Sequence, residues 1–295
     1  MKSPAAPVWL DLDQAALDAA YTQAAYASNM AEVLQRYASS SDAARAVVGE
    51  PQRLAYGPAG IEQLDIYRCD QVEAPIVVFI HGGAWRSGCA HDYAFGAPLL
   101  LQAGAHLVVP DFSAVQDVDG DLAPMADQVQ RAIAWVQCNA TRFGGDARRI
   151  HLLGHSSGAH LVAVALTTDW MADFGLPADL VKSALCCSGL YDLAPVRLSA
   201  RSSYVAFTDG MEAALSPQRH LGRITAPVVV SYGTRETPEF QRQAKDFAAA
   251  LAALGHPHEL IVGDGLNHFE IIETMAKADG VVGRVLLTQL GLHCA

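Results

Sequence analysis

The sequence predicts an α/β chain: a mostly parallel central sheet with helices on both faces, a small helical N-terminal segment at 1–50 and a cap-like insertion at 190–225, all within one domain of 295 residues. Three observations carry this prediction. Runs of strand length recur at 76–80, 106–112, 150–153, 184–189, 227–233 and 258–262, and the one at 76–80 is continuously apolar rather than alternating, as expected of a strand buried on both faces. Segments of helical period lie between them, so successive strands are joined by crossovers and run parallel. The run at 150–153 leads directly into Gly154-His155-Ser156-Ser157-Gly158 and then an apolar run at 161–166, which reads as strand, sharp turn and helix.

The composition suits a large core. Hydrophobic residues make up 51% of the chain and charged residues 17%, so no stretch is polar enough for a long linker. A formal charge of −11 argues against a nucleic-acid partner, which needs clustered Lys and Arg. Met1-Lys2-Ser3-Pro4-Ala5-Ala6-Pro7 has no apolar core of signal-peptide length, and no apolar run reaches the ~18 residues of a membrane span. A cytoplasmic location without a membrane partner is therefore expected. Cys69, Cys89, Cys138, Cys186, Cys187 and Cys294 form no Cys-x-x-Cys pair and are read as reduced thiols, mostly core filler.

Taken in order, residues 10–46 are alanine-rich with apolar side chains at helical spacing, predicting two helices separated near Ser28-Asn29. This segment lies either across the mouth of the catalytic region or against its side, with Tyr21 and Tyr26 as packing residues. Segments 53–56 and 63–68 flank Gly57-Pro58-Ala59-Gly60 and predict an antiparallel hairpin. The run at 76–80 is a central parallel strand ending in His81-Gly82-Gly83-Ala84-Trp85. There the glycine pair lets backbone N–H groups of Gly82 and Gly83 approach an anion, while His81 holds the loop by hydrogen bonds. Trp85 either walls the acyl site or packs beneath the loop. A helix at 99–103 precedes the strand at 106–112, whose end places Asp111 and Phe112 on the ligand side. Asp111 serves equally well as a turn brace. A long crossover helix is expected at 125–139. His151 and His155, four apart, straddle a strand and a turn without a metal-binding pattern, so no metal is expected. After the strand at 184–189, Leu190-Tyr191-Asp192 opens the irregular cap, with Tyr204, Phe207, Met211 and Leu215 scattered through it. A helix at 241–254 and a terminal helix follow the last two strands.

Chemistry converges on three residues. The glycine frame selects Ser156 as nucleophile, and the Ser157 N–H, at the head of the following helix, points at an anion beside it. A serine hydroxyl needs a base, and the base needs a carboxylate to fix its tautomer. Of 11 histidines only His268 occupies the loop after the last strand. Glu236 lies in the loop after the preceding strand and is preferred as the acid; Asp264 is its rival, and Glu239 reads as a first-turn charge of the next helix. Trp85, Phe112, Tyr191 and Phe269 are candidate pocket residues.

His81-Gly82-Gly83-Ala84-Trp85, Gly144-Gly145-Asp146, Gly154-His155-Ser156-Ser157-Gly158-Ala159-His160-Leu161, the run from Glu236 to Gln243, and Asn267-His268-Phe269 together resemble the α/β-hydrolase superfamily. Within it the resemblance is to kynurenine formamidase (arylformamidase)-type serine hydrolases, near the hormone-sensitive-lipase-like esterases, from about residue 63 onward. The resemblance implies a metal-free, cofactor-free enzyme cleaving a small aryl formamide or ester through an acyl-enzyme on Ser156, with Glu236 and His268 at the matching positions. Glutamate stands where the superfamily more often has aspartate. Short-chain carboxylesterase or specialised amidase is the alternative, and a non-catalytic ligand-binding protein of the same fold a more distant one. The oligomeric state is left open, a homodimer included.

Overall fold

A computed structural model describes residues 6–293. Residues 1–5, in the N-terminal stretch read for a leader, and Cys294 lie outside the described residues. Eight strands form one sheet: β1 (Gln52–Ala55), β2 (Gln63–Tyr67), β3 (Ala74–Ile80), β4 (His106–Pro110), β5 (Gly145–His155), β6 (Val181–Cys187), β7 (Val228–Gly233) and β8 (His258–Gly263). Their spatial order is β1-β2-β4-β3-β5-β6-β7-β8. The hairpin β1–β2 and the β2–β4 pair are antiparallel; every pair from β4 to β8 is parallel.

The unbroken apolar runs have a direct packing cause. Ile76, Val78 and Ile80 of β3 enter the core on one face, while Val77 and Phe79 enter the core on the other. Leu152 and Leu153 of β5 divide in the same way, as do Cys186 and Cys187 of β6. Both faces are covered, so alternation in hydropathy disappears. Helices Ala123–Asn139 and Ser157–Leu166 supply one cover; Ala97–Ala103 and Val281–Leu290 supply the other.

The predicted elements recur with shifted ends. Pro124 sits in the first turn of the long crossover helix, where its missing N–H costs nothing, and the helix after β7 starts at Pro238 for the same reason. The N-terminal segment folds as Gln14–Ala20, a 3₁₀ turn Gln23–Ala25 and Met30–Val48, so the predicted break is present and the second helix runs past its predicted end. Tyr21 is buried, but Tyr26 is 45% exposed and is not the packing residue expected. The insertion is not irregular throughout: it contains helices Leu193–Leu198 and Asp209–Ala214 linked by 3₁₀ turns. Cys186 and Cys187 are buried thiols, and burial pushes Cys187 up to about 12. Cys138 is exposed, and Cys69 and Cys89 half-buried, so core filling describes only the adjacent pair. Among the described residues no helix is long and apolar enough to cross a membrane.

Candidate active site

The carboxyl ends of β3, β5, β6, β7 and β8 converge on one place, which is where a parallel sheet presents its ligand-facing loops. Ser156 follows β5 with φ +57° and ψ −122°, and the helix Ser157–Leu166 starts at the next residue. A non-glycine residue held there stores about 1–3 kcal/mol of strain, so the surroundings must enforce it. The Ser156 N–H donates to the Cys187 carbonyl at 2.9 Å, pinning the turn to β6. Gly158 lets the helix pack against β3: a Cβ there would lie 2.1 Å from the Ile80 carbonyl oxygen.

His268 lies in the loop after β8. Its Nε2 accepts from the Ser156 hydroxyl at 2.8 Å, and its Nδ1–H donates to Glu236 Oε2 at 2.8 Å. The tautomer follows from the partner, because an ionised carboxylate only accepts. Glu236 is 2% exposed and well supplied with donors. Its Oε1 accepts from the Ser188 hydroxyl and from the Gly233 N–H, each at 2.6 Å, and its Oε2 also accepts from the Gln23 side chain at 3.3 Å. A buried carboxylate without such partners would cost several kcal/mol, so these contacts explain how the group is kept there.

The imidazole of His268 is boxed in. Phe240 and Phe269 meet it edge-on at 4.9 and 5.1 Å between centroids, and the His155 ring lies 5.0 Å away. The His155 Nε2–H donates to the His268 carbonyl at 2.8 Å. Desolvation, with the neighbouring His268 second, depresses His155 to about 3, so it stays a neutral donor that ties the Ser156 turn to the His268 loop.

After β3 the chain passes beside Ser156 with little room. A Cβ on Gly82 would sit 3.1 Å from Ser156 Cβ. Gly83, Ala84 and Trp85 then take three successive positive φ values, +122°, +56° and +62°. His81 holds this loop as expected: it donates to the Gly82 carbonyl at 2.8 Å and its ring is stacked between Phe112 at 4.5 Å and Tyr93 at 5.2 Å. The Ser157 N–H, first in its helix, has no intrahelical acceptor. Ser156 and His268 open onto a cavity of about 720 Å³, bounded also by the N-terminal segment through Gln23 and Tyr37 and by the insertion through Arg201 and Tyr204.

A BD-FAE family model matches residues 64–182. The kynurenine formamidase of Danio rerio is 28% identical over 96% of this chain and 98% of its own length. Among solved structures, a candidate thioesterase from Silicibacter sp. is 24% identical with a TM-score of 0.79, covering 90% of this chain and 98% of that one. Esterase LipW from Mycobacterium marinum is 20% identical with a TM-score of 0.70, covering 97% and 96%.

The chain has the α/β-hydrolase fold.

Within this fold the structure brings some of the sequence candidates together and parts others. Ser156, His268 and Glu236 form one hydrogen-bonded line. Asp264 does not join it: it is exposed and accepts only a long contact from the Thr234 hydroxyl at 3.4 Å, because the turn after β8 directs it outward. Glu239 binds Arg242 in a bidentate pair and accepts from the Tyr21 hydroxyl at 2.8 Å, a structural role. Phe269 lines the cavity, but the other three pocket candidates do not. Tyr191 is a core residue stacked on Phe247 at 4.1 Å, Phe112 is consumed by its stack on His81, and Trp85 is buried with its Nε1–H donated to His160 at 3.3 Å. Of the two readings of Asp111, the brace is the observed one: it is buried and accepts from the Ala90 N–H at 2.6 Å. His151 pairs with the Ser183 hydroxyl at 2.8 Å. Among the described residues no cluster of His, Cys, Asp and Glu is arranged to hold a metal.

Sequence reasoning missed Ser188, Gln23 and Arg201; of the aromatics scattered through the insertion, Tyr204 lines the cavity. Ser188 had a findable signal, since it ends β6 at the ligand side of the sheet. Gln23 and Arg201 carry no motif, and only the placement of their segments brings them to the cavity.

Proposed function

We propose that this α/β-hydrolase cleaves a small aryl formamide or ester through an acyl-enzyme on Ser156, with His268 as base and then acid, Glu236 as the acid that orients it, and the N–H groups of Gly82, Gly83 and Ser157 as the oxyanion hole. The single observation that carries the reading is the pair of 2.8 Å contacts from Ser156 through His268 to Glu236 at the wall of the cavity. As Ser156 Oγ attacks the carbonyl carbon, its proton passes to His268 Nε2 and the carbonyl oxygen becomes an anion facing the backbone donors. The Nε2 proton then goes to the leaving nitrogen or oxygen as its bond to carbon breaks. Water, deprotonated by the same nitrogen, attacks the acyl-serine, and Ser156 takes the proton back as the acid is released. The whole chain acts as one domain, with 1–50 and 190–225 as parts of its substrate enclosure, and the substrate is a small molecule.

The near full-length likeness to the fish formamidase favours the formamide over the ester. Turnover of N-formylkynurenine, p-nitrophenyl acetate and a panel of aryl amides decides between them. Rapid hydrolysis of the ester with no action on the formamide would assign a carboxylesterase instead. Labelling of Ser156 by a fluorophosphonate is the prior check: an unlabelled native protein would point to a binding protein of this fold.

A further inference from the structure

His268, the base of the proposed reaction, sits on a turn that cannot hold itself. The loop after β8 runs into helix Glu270–Glu273, a single turn, and a helix that short has no stability of its own in water. Asn267, 5% exposed, shapes the turn from within: its Oδ1 accepts from the Phe269 N–H at 2.9 Å and the Glu270 N–H at 3.1 Å, while its own N–H donates to Glu270 Oε2 at 3.0 Å. On one side the His155 ring holds the His268 carbonyl. The other side is held from the far end of the chain.

Asn29 stands at the break between the two N-terminal helices and caps Met30–Val48 by position. Asparagine is among the best capping residues, because its side-chain oxygen can accept from an orphan N–H of the first turn. Here no such bond forms. Instead Asn29 Nδ2 donates to Glu270 Oε1 at 2.8 Å, and its Oδ1 accepts from Asn267 Nδ2 at 2.9 Å. Asn29, Asn267 and Glu270 thus close a hydrogen-bonded ring on residues that flank His268. Its polarity is dictated. The Glu270 carboxylate only accepts, and Asn267 Oδ1 already accepts twice, so Asn267 has Nδ2 left to give and residue 29 must supply one donor and one acceptor. An asparagine amide supplies both; aspartate lacks the donor and alanine lacks either. The same helix adds Tyr37, whose hydroxyl donates to the Phe269 carbonyl at 2.5 Å, and Arg36, whose Nε and Nη2 donate to Glu273 at 2.9 and 2.7 Å.

We propose that Asn29 is a positioning residue for His268, acting through Asn267 and Glu270 to keep the imidazole in line with Ser156 and Glu236. This rests on His268 being the base. Loosening the ring lets the turn drift, so proton transfer slows while the substrate still binds.

The experiment measures kcat and KM for N-formylkynurenine and p-nitrophenyl acetate in wild type, N29A, N29D, E270Q and N29D/E270Q. N29A should lower kcat by about 10- to 30-fold with KM changed less than about twofold, since misalignment of a catalytic group slows the chemical step without weakening binding. N29D should lose at least as much, although aspartate caps a helix as well as asparagine, because it sets two carboxylates face to face. E270Q alone faces donor with donor and should fall about as far as N29A. In N29D/E270Q the new amide at 270 donates to the new carboxylate at 29, which still accepts from Asn267, so the ring closes again. Its kcat should return to within about threefold of wild type, a rescue that a mere loss of helix stability does not produce. E32Q, on the exposed side of the same helix, should stay within about twofold. Amide hydrogen exchange reads the clamp without turnover: in N29A residues 267–273 should exchange about tenfold faster while 34–45 are unchanged. Failure of the hydrolase reading, seen as no fluorophosphonate labelling of Ser156, is therefore separable from failure of this one. A kcat for N29A equal to wild type, a double variant no better than N29D, a kcat loss matched by a rise in KM, or unchanged exchange at 267–273 would overturn the proposal.

Discussion

The floor and the roof of the cavity are built on different principles. On the floor, Ser156, Glu236 and His268 sit in loops one to five residues past the ends of parallel strands, and backbone groups fix them: Ser156 to the Cys187 carbonyl, Glu236 to the Gly233 N–H. On the roof, Tyr21, Gln23, Arg201 and Tyr204 come from short helices and 3₁₀ turns at 14–25 and 193–204, joined mainly through side chains. The floor is positioned by the sheet, the roof by contacts between two segments far apart in the chain. Chemistry should therefore fail when the floor is changed, and selectivity or fine positioning when the roof is changed.

The largest effect is expected on the floor. Replacing Ser156 or His268 with alanine should each lower kcat by about a thousandfold or more, and the double variant should be little worse, because nucleophile and base act as a unit. Additive losses in steady-state kinetics would break that link. Glu236→Gln should reduce kcat by roughly a hundredfold or more, since the amide can present an N–H to His268 Nδ1 and favour the wrong tautomer. Asp264→Asn, on the same side of the sheet but exposed, should change kcat less than about twofold. Reversed magnitudes for the two would reassign the acid.

Acid stability probes the histidines buried beneath and beside the floor. Burial depresses His155 to about 3, and His151 and His160 to about 4, all below their ordinary value near 6.5. As pH falls below ~6.5 the unfolded chain takes up protons that these three refuse in the folded state, so stability is lost progressively between pH ~6.5 and ~4 and is fully present above it. Each contributes about 1 kcal/mol per pH unit within that window. Thermal unfolding followed from pH 7.5 to 4.5 should show the fall, and His151→Asn, far from Ser156 along β5, should make it shallower; an unchanged slope would contradict the burial argument. The smallest effect tests where roof meets floor. Gln23 donates to Glu236 and accepts from the Thr237 N–H at 3.3 Å. Gln23→Ala should lower kcat about three- to tenfold with little change in the labelling of Ser156, because one of four donors to the acid is removed. A loss as large as that of Glu236→Gln would mean that the N-terminal segment holds the acid outright.

By itself the sequence determined the sheet and pointed to the three residues that the floor brings together. Runs such as Ile76–Ile80 must be buried on both faces, and the two glycines around Ser156 allow a turn that side chains would block, so these choices are local and were legible. The acid was legible in part: strand order placed Glu236 and Asp264 in facing loops, and only the turn geometry, one side chain inward and one outward, separated them. Tertiary structure alone decided the pocket. Tyr191, Phe112 and Trp85 are aromatic residues beside site loops, and nothing local distinguishes a ring that faces a cavity from one that stacks on Phe247, His81 or His160. Gln23 and Arg201 were invisible for the converse reason: polar residues in short turns look like surface until packing of the N-terminal segment against the insertion encloses them. Periodicity reports whether a face is buried, whereas the partner across that face depends on segments 180 residues apart, such as Tyr21 and Arg201, coming into contact.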